Sequence, residues 1–124
     1  MSALLVIGAA LAVLLASAHS CLGERYILTR LLRPEGLPRL FGGTEFTKHT
    51  LRFAWHLTSV AWVGFAAVLV ALASPARDTG QSVAEVISAT FGLSGLVTLI
   101  GSRGRHLAWV VFLTVAALVW FGSR

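Results

Sequence analysis

The stretch that decides the fold is residues 53–73, which read FAWHLTSVAWVGFAAVLVALA. Only His56, Thr58 and Ser59 interrupt its apolar character. A helix rises about 1.5 Å per residue, so roughly 20 apolar residues cross a hydrocarbon core of about 30 Å. The stretch therefore predicts a membrane-spanning helix. We expect it to end before Pro75, because the residue preceding a proline is disfavoured in a helix.

Three more apolar runs flank this one, at about residues 3–20, 83–100 and 107–121. All four runs are uniformly apolar and lack the alternation that membrane strands show, so they predict helices rather than a barrel. We therefore predict an all-α membrane protein. It would form one domain, residues 1–124, with four transmembrane helices in an antiparallel bundle.

The composition supports a membrane protein and argues against the other common classes. The chain has 124 residues, of which 56% are hydrophobic and 12% are charged. That charged share is about half the value of an ordinary soluble domain. The single cysteine excludes a scaffold built on intrachain disulfides.

The first run has one feature of a cleaved signal peptide, since residues 16–18 read Ala-Ser-Ala after an apolar core. A signal peptide normally begins with a positive charge, and no lysine or arginine precedes this core. We expect a retained helix, with cleavage as the alternative.

The basic residues predict the orientation. Eight of them fall in the first and third connections: Arg25, Arg30, Arg33, Arg39, Lys48, Arg52, Arg103 and Arg105. The opposite side has only Arg77 and Arg124. Short basic connections stay in the cytoplasm, so we expect a multi-pass inner-membrane protein with residues 21–52 and 101–106 cytoplasmic and both termini periplasmic.

The net charge of +5 follows from this asymmetry and suits a bilayer with an anionic inner leaflet. It requires no nucleic-acid partner, because a basic patch for DNA needs an exposed soluble surface that the sequence does not predict.

The long first connection contains a predicted interfacial helix at about residues 24–33, which is amphipathic and ends at Pro34. A turn-rich segment, residues 34–43, follows it. Thr44 is then a plausible cap for a helix that runs from Glu45 into the second span.

All four histidines fall on the predicted cytoplasmic side. In a simple bundle, His19, His56 and His106 would reach similar depths from three helices. Together with Arg52 they are the candidate ligands of a haem or a quinone headgroup. With His49 and Glu24 added, the histidines are the candidate ligands of a metal ion. The alternative is that they are ordinary interfacial residues at helix ends, since no HxxxH, HExxH or CxxC motif is present.

Glu85 is the one acid within the four apolar runs. Ser82 and Glu85 have the spacing of a capping box, which predicts a helix start. The alternative is that Glu85 couples proton movement to transport.

Small residues recur every fourth position in two runs: Gly8, Ala12, Ala16 and Ser20, then Ala84, Ser88 and Gly92, with Gly95 close by. Small faces let helices approach closely. We expect packing within the bundle, with a dimer seam as the alternative. Residues 19–25, HSCLGER, and 52–56, RFAWH, also stand out, although neither is tied to an activity.

Three functions are open from the sequence. The preferred one is an accessory or scaffold subunit whose helices pack against a membrane-complex partner or against further copies as a homo-oligomer. The second is a redox protein that binds a metal ion, haem or quinone through the histidines. The third is an oligomeric proton-coupled transporter or channel. No phosphate-binding loop, nucleophile elbow or catalytic triad is visible, so enzyme activity stays undecided.

Overall fold

The computed structural model describes residues 2–33, 36–74 and 78–124. In this part of the chain the regular structure is helical, and the only β pairing is an isolated bridge between Leu40 and Gly43. The prediction of an all-α fold is confirmed. The α-helices are α1 Ala3–Leu22, α2 Thr29–Leu31, α3 Glu45–Ala73, α4 Thr79–Gly101 and α5 Ala108–Gly122.

Three helical segments are long and apolar enough to cross a membrane: Ala3–Leu31, Glu45–Ala73 and Thr79–Gly101. The fourth predicted span, residues 107–121, appears as α5 and has only 15 residues. At the helical rise it is about 22 Å long, shorter than a typical hydrocarbon core.

The first helix does not end where the sequence predicts. A π-helical turn, Gly23–Leu28, joins α1 directly to α2. The prediction of a separate interfacial helix at residues 24–33 is therefore wrong in its boundary, because helical structure is continuous from Ala3 to Leu31. Gly23, which lies just before the predicted interfacial helix, is itself helical. Pro34 lies outside the described residues.

A tight turn precedes α3. Leu40 donates its N–H to the carbonyl of Gly43 at 2.9 Å, and both central residues have positive φ, 53° at Phe41 and 88° at Gly42. This combination is typical of a type I′ turn. The Phe41 side chain is 85% exposed and meets the ring of Phe46 edge-on at 5.0 Å. The turn therefore presents an apolar side chain at its tip.

Helix α3 begins at Glu45 and ends at Ala73, as predicted. Thr44 occupies the N-cap position, but its side chain makes no capping hydrogen bond. Pro75 and Arg77 lie outside the described residues.

Helix α4 begins four residues earlier than the predicted span. Its N-cap is Asp78, whose Oδ1 accepts hydrogen bonds from the backbone N–H groups of Gly80 at 2.9 Å and Gln81 at 3.3 Å. The predicted capping box of Ser82 and Glu85 is thus wrong, since both residues lie inside the helix. The negative charge of an aspartate at the N-cap also interacts favourably with the positive end of the helix dipole. Asp78 is therefore a better cap than Ser82 would be.

Replacing Asp78 with alanine should lower the free energy of unfolding by about 1 kcal/mol, because two backbone donors lose their acceptor. The measurement is unfolding of the purified protein in mixed micelles with increasing SDS, followed by far-ultraviolet circular dichroism. The matched variant Ser82→Ala should leave the midpoint nearly unchanged. Equal losses in the two variants would contradict the assignment of the cap.

The C-terminal cap of α4 is of a kind that usually contains glycine, but here an arginine takes the place of that glycine. Gly104 donates to the carbonyl of Leu99 at 2.8 Å and Arg103 donates to that of Ile100 at 3.1 Å. These two bonds define a Schellman motif, whose left-handed residue is usually glycine. Here that residue is Arg103, with φ 53°. An L-residue in this conformation costs about 1 kcal/mol relative to glycine.

The first and third helices pack against each other in antiparallel fashion through the small residues of α1. A Cβ at Gly8 would lie 3.5 Å from Cδ1 of Leu69, and Ser20 meets Ser59 at the other end of the pair. Ala16, between them, is buried.

Helices α4 and α5 use a second small-residue face. Ser88 donates to the carbonyl of Ala116 at 2.8 Å, and a Cβ at Gly95 would lie 2.7 Å from Cδ2 of Leu113. The prediction that the two small-residue stripes pack within one chain is confirmed for both.

Helices α3 and α4 also meet at glycines. A Cβ on Gly64 would lie 2.6 Å from Cγ2 of Thr90, and one on Gly101 would lie 2.7 Å from Cβ of Phe53. The partner of Gly64 comes earlier in α4 than the partner of Phe53, so the two helices run in opposite directions. All three interfaces are therefore antiparallel.

The long helices form an open row in the order α1, α3, α4, α5. Within the described ranges each one packs on its neighbours in this order, and the backbone of α5 does not approach that of α1 or α3. The predicted antiparallel order is confirmed, but the simple closed bundle is not. Only a closed arrangement would bring α1 and the start of α5 together. The open row therefore keeps His19, on α1, away from His106, which precedes α5.

Candidate functional site

The two segments singled out in the sequence, residues 19–25 and 52–56, lie against each other. The first spans the end of α1 and the start of the π-helical turn, and the second lies on α3. Their contacts include an ion pair, hydrogen bonds and a stacked pair of rings. This is the densest collection of polar contacts between helices in the described structure.

Glu24 is the centre of these contacts. Its Oε1 lies 3.1 Å from Nε of Arg52, and its Oε2 lies 3.2 Å from Nε2 of His56. On the other side of the imidazole, Nδ1 lies 2.9 Å from Oγ of Ser20, which donates to Oγ of Ser59 at 2.8 Å. We call these five residues the polar network.

Helix periodicity explains why these residues converge. On α3, Arg52, His56 and Ser59 are spaced at i, i+4 and i+7, so they share one face. On the other helix Ser20 and Glu24 are four apart, which again places them on one face. The polar network therefore joins a polar stripe on α3 to a polar pair on the facing helix.

Both ring nitrogens of His56 have hydrogen-bond partners. Nε2 faces a carboxylate of Glu24, which only accepts, so Nε2 donates. Nδ1 shares a hydrogen bond with the hydroxyl of Ser20, which can donate or accept. The imidazole is therefore held in a fixed orientation between α3 and the facing helix.

The polar network lies at a boundary between packed and exposed surface. The side chains of Glu24, Arg52 and His56 are 36%, 45% and 31% exposed, whereas Ser59 is buried. Its charged end is therefore the open end, and its hydroxyl end lies between the helices.

An aromatic cluster adjoins the polar network. The His19 ring stacks on Trp55 with centroids 4.4 Å apart and an angle of 3° between planes, and it meets Trp62 edge-on at 4.9 Å. Nε1 of Trp55 donates to the carbonyl of His19 at 3.1 Å. Nε2 of His19 is buried and has no hydrogen-bond partner among the described residues. His19 thus packs as an aromatic ring.

Gly23 allows this close approach. A Cβ at Gly23 would lie 2.6 Å from Cε2 of Trp55, well inside van der Waals contact. The glycine is required here by the neighbouring ring rather than by its own backbone, which is in the ordinary right-handed helical region.

The other two histidines lie elsewhere. His106 packs edge-on against Phe53 at 5.4 Å, and its Nδ1 accepts from the N–H of Ala108 at 3.3 Å. His49 lies 3.9 Å from the carboxylate of Glu45, four residues earlier on the same helix. The four histidines therefore do not gather at one point in the described structure. The structure brings together Glu24, Arg52 and His56 of the predicted site, and leaves His106 with the phenylalanines and His49 with Glu45.

The described residues contain no group of three or more His, Cys, Asp or Glu side chains that could hold a metal ion. Cys21, which lies near the polar network in sequence, is exposed and free. The metal set proposed from sequence stays a prediction, without a common site in this arrangement.

An open groove runs between α3 and α4 beside the polar network, with a volume of about 600 Å³. One end is basic and the remainder is apolar. Its lining includes His49, Arg52, His56 and Arg103 together with Leu93, Leu96, Val97 and Ile100.

Glu85 lies near the opposite end of the helices from the polar network, beside the end of α3 at Ser74. It is in the second turn of α4 and accepts from Nε2 of Gln81 at 3.3 Å. With Ser74 and Ser82 it borders a shallow depression between α3 and α4. Its role in proton coupling stays a prediction.

Sequence reasoning missed Ser20 and Ser59 as members of the site, as well as the stacking of His19 on Trp55. A signal for Ser59 was present in the sequence, because Arg52, His56 and Ser59 are spaced so that they share one face of α3.

Comparison with known proteins gives no assignment: no protein-family model matches this chain, and neither curated proteins nor solved structures include a significant match.

Proposed function

We propose that this is a multi-pass inner-membrane protein in which α1, α3, α4 and α5 all cross the bilayer. The support is the combination of long apolar helices with extensive apolar exposure. Leu4, Ile100 and Phe121 are each more than 70% exposed. Contiguous apolar surface of this kind is stable in hydrocarbon and unfavourable in water. The short helix α5 would reach both interfaces by local thinning of the bilayer and by interfacial flanking residues.

We place the polar network at the cytoplasmic end, because it adjoins the basic first and third connections. The single cysteine makes this testable. A membrane-impermeant maleimide should leave Cys21 unlabelled in intact spheroplasts and label it after the membrane is opened. In a Cys21→Ser background, Ser123→Cys should be labelled in intact spheroplasts. Labelling of Cys21 from outside would reverse the orientation.

We propose that the protein is an accessory or scaffold subunit whose edge helices associate with other transmembrane helices, including those of further copies. The observation that carries this is the open row. Among the described residues the backbone of α5 approaches only that of α4, and α5 contains no buried residue. α1 likewise leaves Leu11, Leu14 and Leu15 more than half exposed. Both edges of the row are therefore free to pack.

The separation of the histidines favours this function over the redox alternative. A haem or metal centre needs its ligands at one point, and His106 is held among phenylalanines while His19 is stacked on tryptophan. The transporter alternative needs an ionisable group deep in the span, whereas Glu85 lies in the second turn of its helix.

Disulfide cross-linking tests the association at the α5 edge. In the Cys21→Ser background, Val111→Cys and Leu118→Cys lie on exposed positions of α5, whereas Ala116→Cys faces α4. We expect mild oxidation in native membranes to cross-link the first two to another copy or to a partner. Ala116→Cys is the matched control and should stay uncross-linked.

Two results would reject the scaffold proposal. One is a strictly monomeric protein in mild detergent with no co-purified partner. The other is equal cross-linking of all three cysteine variants, which indicates random collision rather than a defined interface.

A further inference from the structure

We infer that the groove between α3 and α4 is a binding site for one acidic phospholipid of the surrounding leaflet. The phosphate group would lie at Arg52 and Arg103, and an acyl chain would follow the apolar part of the groove. This inference rests on the proposed membrane placement and is independent of the proposed association between helices.

The shape and lining of the groove fit an amphipathic ligand. Its apolar length is formed by α4, where Leu93, Leu96 and Ile100 expose 49%, 49% and 74% of their surfaces. These residues follow the i, i+3, i+7 spacing of one helix face. The basic residues lie at one end only, so the groove has the polarity of a lipid molecule: a charged end and a long apolar part.

The charges at the basic end favour an anion. Arg52 and His56 share the carboxylate of Glu24, and His49 lies near Glu45. Arg103 comes from the other wall of the groove and takes part in none of the ion pairs among the described residues. An anion placed between Arg52 and Arg103 would be bound by α3 and by the connection that follows α4, and arginine is well suited to phosphate.

The backbone at Arg103 supports a role for its side chain. This residue occupies the left-handed position of the Schellman motif, which glycine fills at lower energy. Residues in an unfavourable backbone conformation are concentrated at functional sites, where the side chain has a role that offsets the strain. At this position it lines the groove.

The positive φ of Arg103 allows a test in which the charge is removed without destabilising the protein. Arg103→Gly removes the charge and at the same time relieves the backbone, so the protein should unfold at a higher temperature in a neutral lipid. A loss of lipid binding in this variant cannot then be attributed to misfolding. Arg105→Ala is the matched control, because Arg105 is exposed in the same connection but does not line the groove.

The experiment measures lipid binding to the purified protein by native mass spectrometry, with phosphatidylglycerol and phosphatidylcholine of identical acyl chains. We expect one phosphatidylglycerol to bind at least fivefold more tightly than phosphatidylcholine. That ratio corresponds to about 1 kcal/mol for an arginine near an anionic lipid, at 1.4 kcal/mol per tenfold. Arg103→Gly should lose most of the preference, and Arg105→Ala should keep it.

A third variant and a competitor separate the site from general surface charge. Leu96→Asn should weaken binding of both lipids, because it interrupts the apolar part of the groove. Inorganic phosphate at millimolar concentration should not displace the lipid.

The inference is overturned by equal binding of the two lipids, by an unchanged preference in Arg103→Gly, or by equal losses in Arg103→Gly and Arg105→Ala. Displacement by inorganic phosphate would indicate a phosphate site and would also overturn it. The measurement is made on the monomer peak, so its failure leaves the scaffold proposal standing, and loss of cross-linking leaves this one standing.

Discussion

Replacing Gly23 with alanine should lower the free energy of unfolding by about 2 kcal/mol. The added methyl would lie 2.6 Å from Cε2 of Trp55, so the ring must move. It has little freedom to do so, because it stacks on His19 and its Nε1 donates to the carbonyl of the same residue. Overpacking costs typically 1–3 kcal/mol and the lost hydrogen bond about 1 kcal/mol, partly offset by the higher helix propensity of alanine.

Gly122→Ala is the matched control for this variant. It adds the same methyl to a helical glycine, and no atom lies within 4 Å of the new Cβ. SDS-induced unfolding in mixed micelles, followed by circular dichroism and by tryptophan fluorescence, should show a loss for Gly23→Ala and none for Gly122→Ala. A Gly23→Ala protein as stable as the original would show that the α1–α3 contact does not depend on this approach.

The second large effect is expected at Glu24. Removing its carboxylate leaves Arg52 and His56 side by side without the group that holds both. Breaking a fully buried pair costs about 3–5 kcal/mol. These side chains are roughly a third to a half exposed, so solvent screening reduces the expected loss for Glu24→Ala to about 2 kcal/mol.

The chain contains its own control for this substitution. Glu45 also faces a basic residue and a histidine, Lys48 and His49, but it does so within one helix and is 68% exposed. Pairs of this kind contribute about 0.2–0.5 kcal/mol, so Glu45→Ala should change stability little. Similar losses for the two substitutions would indicate that Glu24 is an ordinary surface charge.

A double-mutant cycle between Glu24→Ala and Arg52→Ala separates the interaction from the side effects of each change. We expect the double variant to be more stable than the sum of the single losses predicts, because each partner alone is left uncompensated.

The sequence was a good guide to the helices because hydropathy acts locally. Residues 53–73 predicted the core of α3, and Thr44 and Glu45 located its start. Errors occurred where two local signals competed. Ser82 and Glu85 fit a capping box, but Asp78, four residues earlier, caps the helix. The interfacial helix predicted to start after Gly23 is instead continuous with the first span, and Gly23 packs against the ring of Trp55.

The arrangement of the helices was less predictable, because lipid gives no hydrophobic drive that would close a bundle. Contacts then depend on the shapes of small-residue faces. The stripe at Gly8 and Ala16 was visible in the sequence, but its partner was not. For the same reason the convergence of His19, His56 and His106 failed, since it assumed that α1 and α5 close around α3. The polar network depends on the register of α1 against α3, which no pattern within either helix specifies.

The order of the row has a consequence for how the protein is made. Each long helix packs on the one that precedes it along the chain, so every interface can form as soon as its second helix leaves the ribosome. In the described structure no long helix depends for its first contact on a helix that is synthesised two or more helices later. A nascent chain that ends after Ala73 already contains both partners of the ion pair between Glu24 and Arg52. The helices can therefore assemble in order from the N-terminus, and each new helix stabilises the helix before it.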